Sequence, residues 1–240
     1  MGRLHGKVAL VTGAAKGLGQ VMAEAFAKEG ATVYAADMAP LAYEANNVHG
    51  VILNVTDVEQ VKAVVAMIKE KHGKIDVLVN NAGITADKLT VRMDDAMWDR
   101  VINVNLKGVF NLTREVGPMM EQTGGGSIIN ISSVVGLFGN IGQANYAASK
   151  AGVIGMTKTW AKEFARKGVP VRVNAIAPGY MMTDILKTVP QDLLDGFAKL
   201  TMLGRLGQPE ELAGPALFLA SDESSYVTGH VLEVSGGMRL

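Results

Sequence analysis

VALVTGAAKGLG, the stretch Val8–Gly19, joins a short apolar run to the start of an amphipathic segment. Val8–Val11 has the β-branched, apolar content of a buried strand. Leu18–Lys28 repeats its apolar residues at helical spacing, and Gly30 follows as a stop signal. A strand that leads through a glycine-rich turn into a helix is the opening unit of an α/β fold with a parallel sheet.

The same alternation of β-rich runs and helix-length segments continues along the chain. It predicts an α/β fold: a single doubly wound (Rossmann) domain, with a parallel seven-stranded sheet and helices on both faces. One predicted helix, Asp57–His72, is preceded by Thr56, which has capping-box spacing to Glu59, and it ends at Gly73. The strands are predicted at Val8–Val11, Thr32–Ala35, Val51–Leu53, Val77–Val79, Ser127–Ile131, Val171–Ala175 and Val231–Val234, and three further helices at Asp95–Met120, Tyr146–Lys167 and Pro209–Ala220.

Composition excludes several classes of site and partner. The chain has 23 basic and 23 acidic residues, so no net field would attract nucleic acid or an anionic membrane. It contains no cysteine, which rules out disulfides, thiolate catalysis and cysteine-based metal sites, and we predict no metal site. The N-terminal residues lead directly into a strand without the hydrophobic segment of a signal peptide, and no stretch has the length of a membrane span. We therefore expect a soluble, cytoplasmic protein.

The turn after the first strand is a candidate phosphate site. Gly13, Gly17 and Gly19 let backbone N–H groups approach a dinucleotide's pyrophosphate at a helix N-terminus. Asp37 follows the second strand at the separation expected for an acid that binds the adenosine ribose hydroxyls, and its carboxylate would repel a 2′-phosphate. These residues favour NAD(H), while Lys16 leaves NADP(H) possible because a base in this turn can meet that phosphate. The alternatives are a purely steric turn and, for Asp37, a helix cap.

Three polar residues form a candidate catalytic group. Tyr146 and Lys150 lie one helical turn apart, and Ser133 follows a strand at the sheet edge where such folds bind ligands. A free tyrosine has a pKa of about 10, and a lysine ammonium about 4 Å away nearly suffices to lower it to about 7, with the positive charge of the oxidised nicotinamide adding to the effect. We therefore expect Tyr146 to act as general acid in reduction and general base in oxidation, while Ser133 holds the substrate oxygen. A Tyr and a Lys at this spacing also occur by chance in many helices.

No repeat, linker or break in composition divides the chain. We expect residues 1–240 to form a single dinucleotide-binding and catalytic domain. The long, methionine-rich segment Tyr180–Leu206 suits a mobile substrate lid. Its apolar residues would either line a pocket or simply pack together; they include Met181, Met182, Leu186 and Phe197.

These motifs, in this order, resemble the short-chain dehydrogenase/reductase family over essentially the whole chain. The resemblance implies an enzyme that transfers a hydride between a nicotinamide dinucleotide and a ketone or secondary alcohol. The matching residues are Gly13, Gly17 and Gly19 in the glycine turn, Asn80-Asn81-Ala82-Gly83 after a strand, Ser133, Tyr146 with Lys150, and Pro178-Gly179.

The resemblance also implies roles for further residues. Asn105 would complete a catalytic tetrad with Ser133, Tyr146 and Lys150 by holding a water that relays protons past Lys150. Lys150 would also bind the nicotinamide ribose. The other implied cofactor contacts are Leu18 and Gly19 in the turn, Asn54 and Val55 at the adenine, Asn81 near the adenosine ribose with Ala82 and Gly83 next to it, Pro178 and Gly179, and Thr183 at the nicotinamide carboxamide or the phosphates.

Within the family, three segments resemble 3-oxoacyl-acyl-carrier-protein reductases: Ser132–Gly136, Gly142–Tyr146 and Gly229–Met238. That likeness implies a thioester substrate and makes a carrier protein a possible partner. Asp37 departs from this group, whose members usually use NADPH. The segment between Asp37 and Val51 is also short, which predicts that the helix beside the adenine pocket is truncated.

The expected contacts to an acidic carrier are only partly present. The segment before the fifth strand, Glu121–Gly126, lacks the base that tends to occur there. Arg166 and Lys167 remain, either as carrier contacts or as the ordinary cations of a helix C-terminus.

Three hypotheses follow for the function. The first is an NAD(H)-dependent reductase of 3-oxoacyl thioesters, and the second is the same chemistry on a small alcohol, diol or sugar. The third is a dinucleotide-sensing protein without turnover, which the presence of Ser133, Tyr146 and Lys150 disfavours. The resemblance further implies a homotetramer, with the helices around Asp95–Met120 and Tyr146–Lys167 at one interface.

Overall fold

The described residues form one parallel sheet of seven strands, which lie between Val8 and Val234. The computed structural model describes residues 2–183, 186 and 189–240. The strands stand in the order β3-β2-β1-β4-β5-β6-β7, which confirms the predicted doubly wound fold. Their bounds are Val8–Thr12 (β1), Thr32–Asp37 (β2), Val48–Ile52 (β3), Val77–Asn80 (β4), Gly126–Ile131 (β5), Val171–Pro178 (β6) and Val231–Val234 (β7).

Eight α-helices occur in the described part of the chain. They connect successive strands, except between β2 and β3, where residues 38–47 contain no helix. The helix that the sequence predicted to be truncated is therefore absent from this segment. The helices are Gly17–Lys28 (α1), Val58–His72 (α2), Asp95–Ile102 (α3), Gly108–Gln122 (α4), Val134–Phe138 (α5), Ala144–Ala165 (α6), Gln191–Lys199 (α7) and Ala213–Ala220 (α8).

Both faces of the sheet are buried. Along β1, Val8 and Leu10 belong to one apolar cluster, with residues of α2, α4 and α6. Ala9 and Val11 belong to the other, with residues of α1 and α8. Side chains of a strand alternate between the two faces, so a strand covered on both sides reads as a continuous apolar run. That is why β1 could be recognised from sequence.

Two local predictions about helices are wrong. Helix α2 is capped by Asp57, whose carboxylate accepts from the N–H groups of Glu59 and Gln60, and not by Thr56. Asp57 is one residue closer to the first helical turn, and a carboxylate is favoured at a helix N-terminus. The single helix predicted at Asp95–Met120 is interrupted by a π-helical turn at Asn103–Lys107.

The segment predicted as a lid contains helix α7 and a small apolar cluster. Met181 is buried in the core against β6 and α8. Met182, Leu186 and Phe197 pack with the buried Leu194 and Met238, as the packing alternative predicted. Asp184, Ile185, Lys187 and Thr188 lie outside the described residues. Among the residues that are described, no helix is long and apolar enough to cross a membrane.

Candidate active site

The predicted site residues gather at the carboxyl ends of the parallel strands. The glycine turn follows β1, Asp37 ends β2, Asn81 follows β4 and Ser133 comes shortly after β5. Strands β2, β4 and β6 each extend past their predicted ends, to Asp37, Asn80 and Pro178 respectively. The polar residues therefore follow strands that end on one edge of the sheet, where doubly wound folds bind their ligands.

Helix α6 places Tyr146 and Lys150 beside Ser133. The Lys150 Nζ atom lies 5.6 Å from the centroid of the Tyr146 ring, and the Ser133 side chain lies close enough to the Tyr146 hydroxyl to act on its pKa. Ser133 is also the N-cap of α5, where its Oγ accepts from the Val135 N–H at 3.1 Å. The structure therefore brings together the three side chains that the sequence singled out.

The backbone of β5 fixes the lysine. Lys150 is 3% exposed, and its Nζ donates to the carbonyl oxygen of Ile131 at 2.8 Å. The Ser132 hydroxyl donates to the Lys150 carbonyl at 2.9 Å, which ties α6 to the end of β5. An ammonium carries three donors, so the bond to Ile131 leaves two for other partners at this edge.

Burial dominates the pKa of the Tyr146 phenol. It raises the pKa of Tyr146 to about 12; the nearby Ser133 side chain opposes this shift, while Asp87 and Tyr180 add to it. Burial also lowers the pKa of Lys150 to about 8. The predicted phenol pKa near 7 is therefore wrong for these residues by themselves, because removing the phenolate from water outweighs an ammonium 5.6 Å from the ring centroid.

Asn105 lies on the π-helical turn and is fully buried. Its side chain accepts from the Ile84 N–H at 2.8 Å and donates to the Ile84 carbonyl at 2.9 Å. A Cβ built on Gly83 would lie 3.4 Å from both the Asn105 Oδ1 and the Lys150 Nζ. The two side chains therefore meet beside Gly83, although the polar atoms of Asn105 bind mainly the backbone of the loop after β4.

The glycine turn is built for close approach of the backbone. Gly13 and Gly17 have positive φ angles of 64° and 61°, which only glycine adopts readily. A Cβ on Gly19 would lie 2.1 Å from the Gly13 carbonyl oxygen. Lys16, the N-cap of α1, is extended and makes no side-chain capping bond. The first N–H groups of a helix have no partner within it, so this turn offers donors to a pyrophosphate.

Asn81 and Thr12 hold the loop after β4 against the glycine turn. The Asn81 amide donates to the carbonyl oxygens of Thr12 and Gly13, both at 2.9 Å. The Thr12 hydroxyl accepts from the N–H groups of Asn81 and Ala82, both at 3.1 Å. Sequence reasoning missed Thr12. Its signal is a hydroxyl residue at the last position of the first strand, just before the glycines.

Asp37 lies at the end of the site where the adenosine is predicted to bind, and it contacts the backbone on both sides. One of its carboxylate oxygens accepts from the Ala15 N–H at 3.0 Å, and the other from the Ala39 N–H at 3.3 Å. The Asn54 side chain accepts from the N–H and hydroxyl of Thr56. Val55 is buried against the start of α4, where a Cβ on Gly108 would lie 2.6 Å from it.

The loop after β6 approaches the glycine turn from the opposite side. A Cβ built on Gly17 would lie 3.9 Å from the Thr183 methyl group, so Thr183 stands next to the start of α1. Gly179 donates its N–H to the Val234 carbonyl, and a Cβ there would lie 2.9 Å from the Ser235 Cα. Pro178 is the buried last residue of β6, and Leu18 packs against the core below the turn.

A polar network that sequence reasoning missed lies next to Tyr146. The Gln143 amide donates to the Asp87 carboxylate at 3.0 Å and accepts from the Asn140 amide at 3.0 Å. Asn140 also donates to the Tyr180 hydroxyl at 3.1 Å. These residues come from three separate loops, so no local motif predicts their contact. The described residues contain no group of His, Cys, Asp and Glu that would hold a metal.

Known proteins resemble this chain over nearly its whole length. A family model described as enoyl-(acyl carrier protein) reductase matches residues 13–239. The 3-oxoacyl-(acyl-carrier-protein) reductase FabG of Thermotoga maritima is 56% identical over 245 residues, covering 98% of this chain and 99% of the relative. The protein of the same name from Escherichia coli is 45% identical over 240 residues, which cover 98% of each chain.

A solved structure gives the same picture. The crystal structure of a proposed gluconate dehydrogenase from Agrobacterium tumefaciens superposes with a TM-score of 0.92 and 33% identity, over 98% of this chain and 96% of that one. The likenesses span both the glycine turn and the group of Ser133, Tyr146 and Lys150. The chain therefore belongs to the short-chain dehydrogenase/reductase family and is an oxidoreductase that acts on a ketone or its alcohol with a nicotinamide dinucleotide.

Proposed function

We propose that this enzyme reduces the ketone of a 3-oxoacyl thioester with NADH. The observation that carries the proposal is the meeting of Ser133, Tyr146 and Lys150 at the sheet edge that also holds the glycine turn. The names of the relatives from Thermotoga maritima and Escherichia coli support the substrate class.

Ser133 and Tyr146 would bind the ketone oxygen together. The Ser133 side chain lies close enough to the Tyr146 hydroxyl to oppose the rise in its pKa, so an oxygen placed against both hydroxyls would accept two hydrogen bonds where negative charge develops. When bound, the reduced dinucleotide supplies the hydride that adds to the carbonyl carbon. Tyr146 then gives its proton to the oxygen, which yields the 3-hydroxyacyl product.

The pKa values favour the reductive direction. A phenol whose pKa burial raises to about 12 stays protonated at neutral pH and is ready to donate. Lys150, with a pKa of about 8, remains mostly charged there and stabilises the phenolate as it forms. The oxidative direction needs the phenolate first, and these residues alone do not lower its pKa.

Asn105 would help to supply Tyr146 with a new proton after each turnover. A π-helical turn shifts the backbone bonding of a helix and frees a carbonyl from its usual partner. The turn at Asn103–Lys107 lies beside Lys150, near Gly83. We propose that a water bound to this turn passes protons to Lys150 and from there to Tyr146.

The cofactor preference rests on Asp37. Two backbone N–H groups hold its carboxylate at the place proposed for the adenosine ribose. Such an acid accepts from ribose hydroxyls and repels a 2′-phosphate. Lys16 is exposed at the start of α1. Its positive charge is the feature that would favour NADPH, because it can meet the 2′-phosphate. We propose NAD(H) as the preferred cofactor.

Two residues bear on whether the thioester is carried by a protein or by coenzyme A. Lys167 forms an ion pair with Glu121 at 3.0 Å, which supports an ordinary structural role over carrier binding. Arg166 is exposed beside it. A carrier protein and coenzyme A therefore both fit the proposal. The alternative is a sugar or diol dehydrogenase, which the gluconate dehydrogenase likeness and the polar network at Asp87 and Gln143 favour.

Steady-state rates separate these readings. We expect acetoacetyl thioesters of coenzyme A and of acyl carrier protein to oxidise NADH, with the higher kcat/KM identifying the natural form. Crotonyl-coenzyme A, the substrate of an enoyl reduction, and gluconate with NAD should be turned over at least about 100-fold less well. Faster turnover of gluconate would overturn the thioester assignment, and faster turnover of the crotonyl thioester would overturn the ketone assignment.

A further inference from the structure

The connection between β2 and β3 crosses the sheet without a helix. Residues 38–47, which we call the strap, contain neither helix nor strand. Leu41 packs against the edge strand, where a Cβ on Gly50 would lie 3.1 Å from it. A cavity of about 500 Å³ separates much of the strap from β3. The strap is therefore held at a few points and not by continuous packing.

Tyr43 is one of these points. Its hydroxyl donates to the Ala14 carbonyl in the glycine turn at 3.0 Å, although it lies 29 residues further along the chain. The next residue of that turn, Ala15, donates its N–H to the Asp37 carboxylate at 3.0 Å. The Tyr43 phenol and the Asp37 carboxylate therefore form hydrogen bonds with consecutive residues of the same turn, Ala14 and Ala15.

The surroundings of this phenol are negatively charged. Burial, and then the carboxylates of Glu24 and Asp37, raise the pKa of Tyr43 to about 12. Glu24 projects from α1, where its carboxylate accepts from the Gln20 amide at 2.9 Å. A phosphate carries nearly two negative charges at neutral pH. Placed here, it would meet two carboxylates and a phenol whose only proton is already donated to Ala14.

We propose that Tyr43 is a specificity-determining residue for the dinucleotide. By fastening the strap across the glycine turn, it keeps Asp37 positioned for the ribose hydroxyls and fills the space that a 2′-phosphate needs. Glu24 adds a second negative charge to this corner. The inference rests on the proposed use of NAD(H) and deepens it, because it assigns part of the discrimination to a residue outside the glycine turn and the strand ends.

Equilibrium binding tests the proposal without turnover. Dissociation constants for NADH and NADPH would be measured by titration calorimetry on the parent, Tyr43→Phe, Tyr43→Ala, Asp37→Asn and the Asp37→Asn/Tyr43→Ala double variant. Tyr226→Ala is the matched control, because Tyr226 is fully exposed.

We expect the ratio of the NADPH constant to the NADH constant to fall about tenfold in Tyr43→Ala and about threefold in Tyr43→Phe, with no change in the control. The double variant should bind NADPH at least about tenfold more tightly than Asp37→Asn alone.

The outcomes separate this inference from the cofactor assignment. A parent that prefers NADPH would contradict the proposed use of NADH and this inference with it. A parent that prefers NADH, with Tyr43 variants that weaken both dinucleotides equally, would overturn the inference alone and leave Tyr43 a structural residue. Tyr43→Phe keeps the ring and removes only the hydroxyl, so it provides the test if Tyr43→Ala does not fold.

Discussion

The phenol of Tyr146 is protonated at neutral pH in this cleft, since burial raises its pKa to about 12. A proton donor acts only when the acceptor oxygen is held against it, which is the role proposed for the Ser133 hydroxyl. In the proposed mechanism Tyr146 and Ser133 therefore act as a pair, and the charge of Lys150 stabilises the phenolate that remains after proton transfer.

Replacing Tyr146 by Phe isolates the proton transfer. The ring remains and only the hydroxyl is lost, so we expect dinucleotide affinity to stay within a few-fold while kcat falls by at least about 100-fold. The measurement pairs a dissociation constant for NADH with turnover of an acetoacetyl thioester. Near-normal turnover in this variant would remove Tyr146 from the chemistry.

Replacing Lys150 by Met tests the energetic consequence of burying the lysine. Burial lowers the pKa of Lys150 to about 8 from an ordinary 10.5, so the folded chain gives up this proton more easily than the unfolded chain. Its charge therefore opposes folding at neutral pH, and the opposition is relieved as pH rises from about 8 to 10.5. The bond to Ile131 offsets part of this effect.

We expect Lys150→Met to abolish most activity yet to raise the free energy of unfolding at pH 7 by about 1–2 kcal/mol. Urea unfolding at pH 7 and at pH 9.5 measures it, and the advantage of the variant should shrink at the higher pH. An advantage that is absent at pH 7, or that grows with pH, would show that burial of the ammonium is not what destabilises this position.

At the scale of elements, α1 and the turn after β1 pack too closely to admit a side chain at Gly19. Gly19 lies where the first turn of α1 meets the Gly13 carbonyl, and a Cβ there would lie 2.1 Å from that oxygen. We expect Gly19→Ala to lower the free energy of unfolding by roughly 1–3 kcal/mol and to weaken NADH binding at least about tenfold, because the turn must open.

Gly196→Ala is the matched control for that substitution. Gly196 lies inside α7, and nothing lies within 4 Å of a Cβ built there. An alanine in an open helix position should stabilise the fold by up to about 1 kcal/mol and leave NADH binding unchanged. Thermal unfolding and calorimetric titration of both variants check the pair. Equal effects at the two positions would show that the close contact at Gly19 has no special role.

Periodic patterns predicted the elements well, while interruptions of the pattern escaped sequence reasoning. Strand β7 was predicted at its observed bounds, because its apolar run is short and isolated between glycines. The π-helical turn at Asn103–Lys107 was missed, since one extra residue in a helical turn barely disturbs an apolar stripe. The cap of α2 was misplaced by one residue, because Thr56 and Asp57 are both good caps and only the backbone geometry chooses between them.

The candidate site divides in the same way. Ser133, Tyr146, Lys150 and the glycine turn were found because each lies at a fixed offset from a predictable strand or helix. Contacts between loops were not found, because their partners are far apart in the chain. Tyr43 binds Ala14, which lies 29 residues earlier in the chain. No local sequence pattern at either residue predicts this contact.

At the scale of the whole molecule, the exposed apolar side chains suggest how copies would associate. Phe110 on α4 is 40% exposed, and so is Trp98 on α3. Both lie in the region that the family resemblance placed at an interface, together with the helix that carries Tyr146. An interface there would rest directly on the elements that position the catalytic group, so assembly and activity should be coupled.

We therefore predict that the chain forms a homotetramer and that a charge introduced at this surface dissociates it. Phe110→Glu would place a carboxylate in the proposed interface, where it is removed from water; Arg114, 5.1 Å from the centroid of the present ring, is a nearby cation on its own chain. Sedimentation equilibrium should give four chain masses for the parent and two or one for the variant, with a fall in kcat that increases on dilution. Met67→Glu, at a 38% exposed position on α2 outside this surface, should remain tetrameric. A parent that sediments as a monomer, or a Phe110→Glu variant that stays fully assembled, would place the interface elsewhere and separate the activity of Tyr146 from assembly.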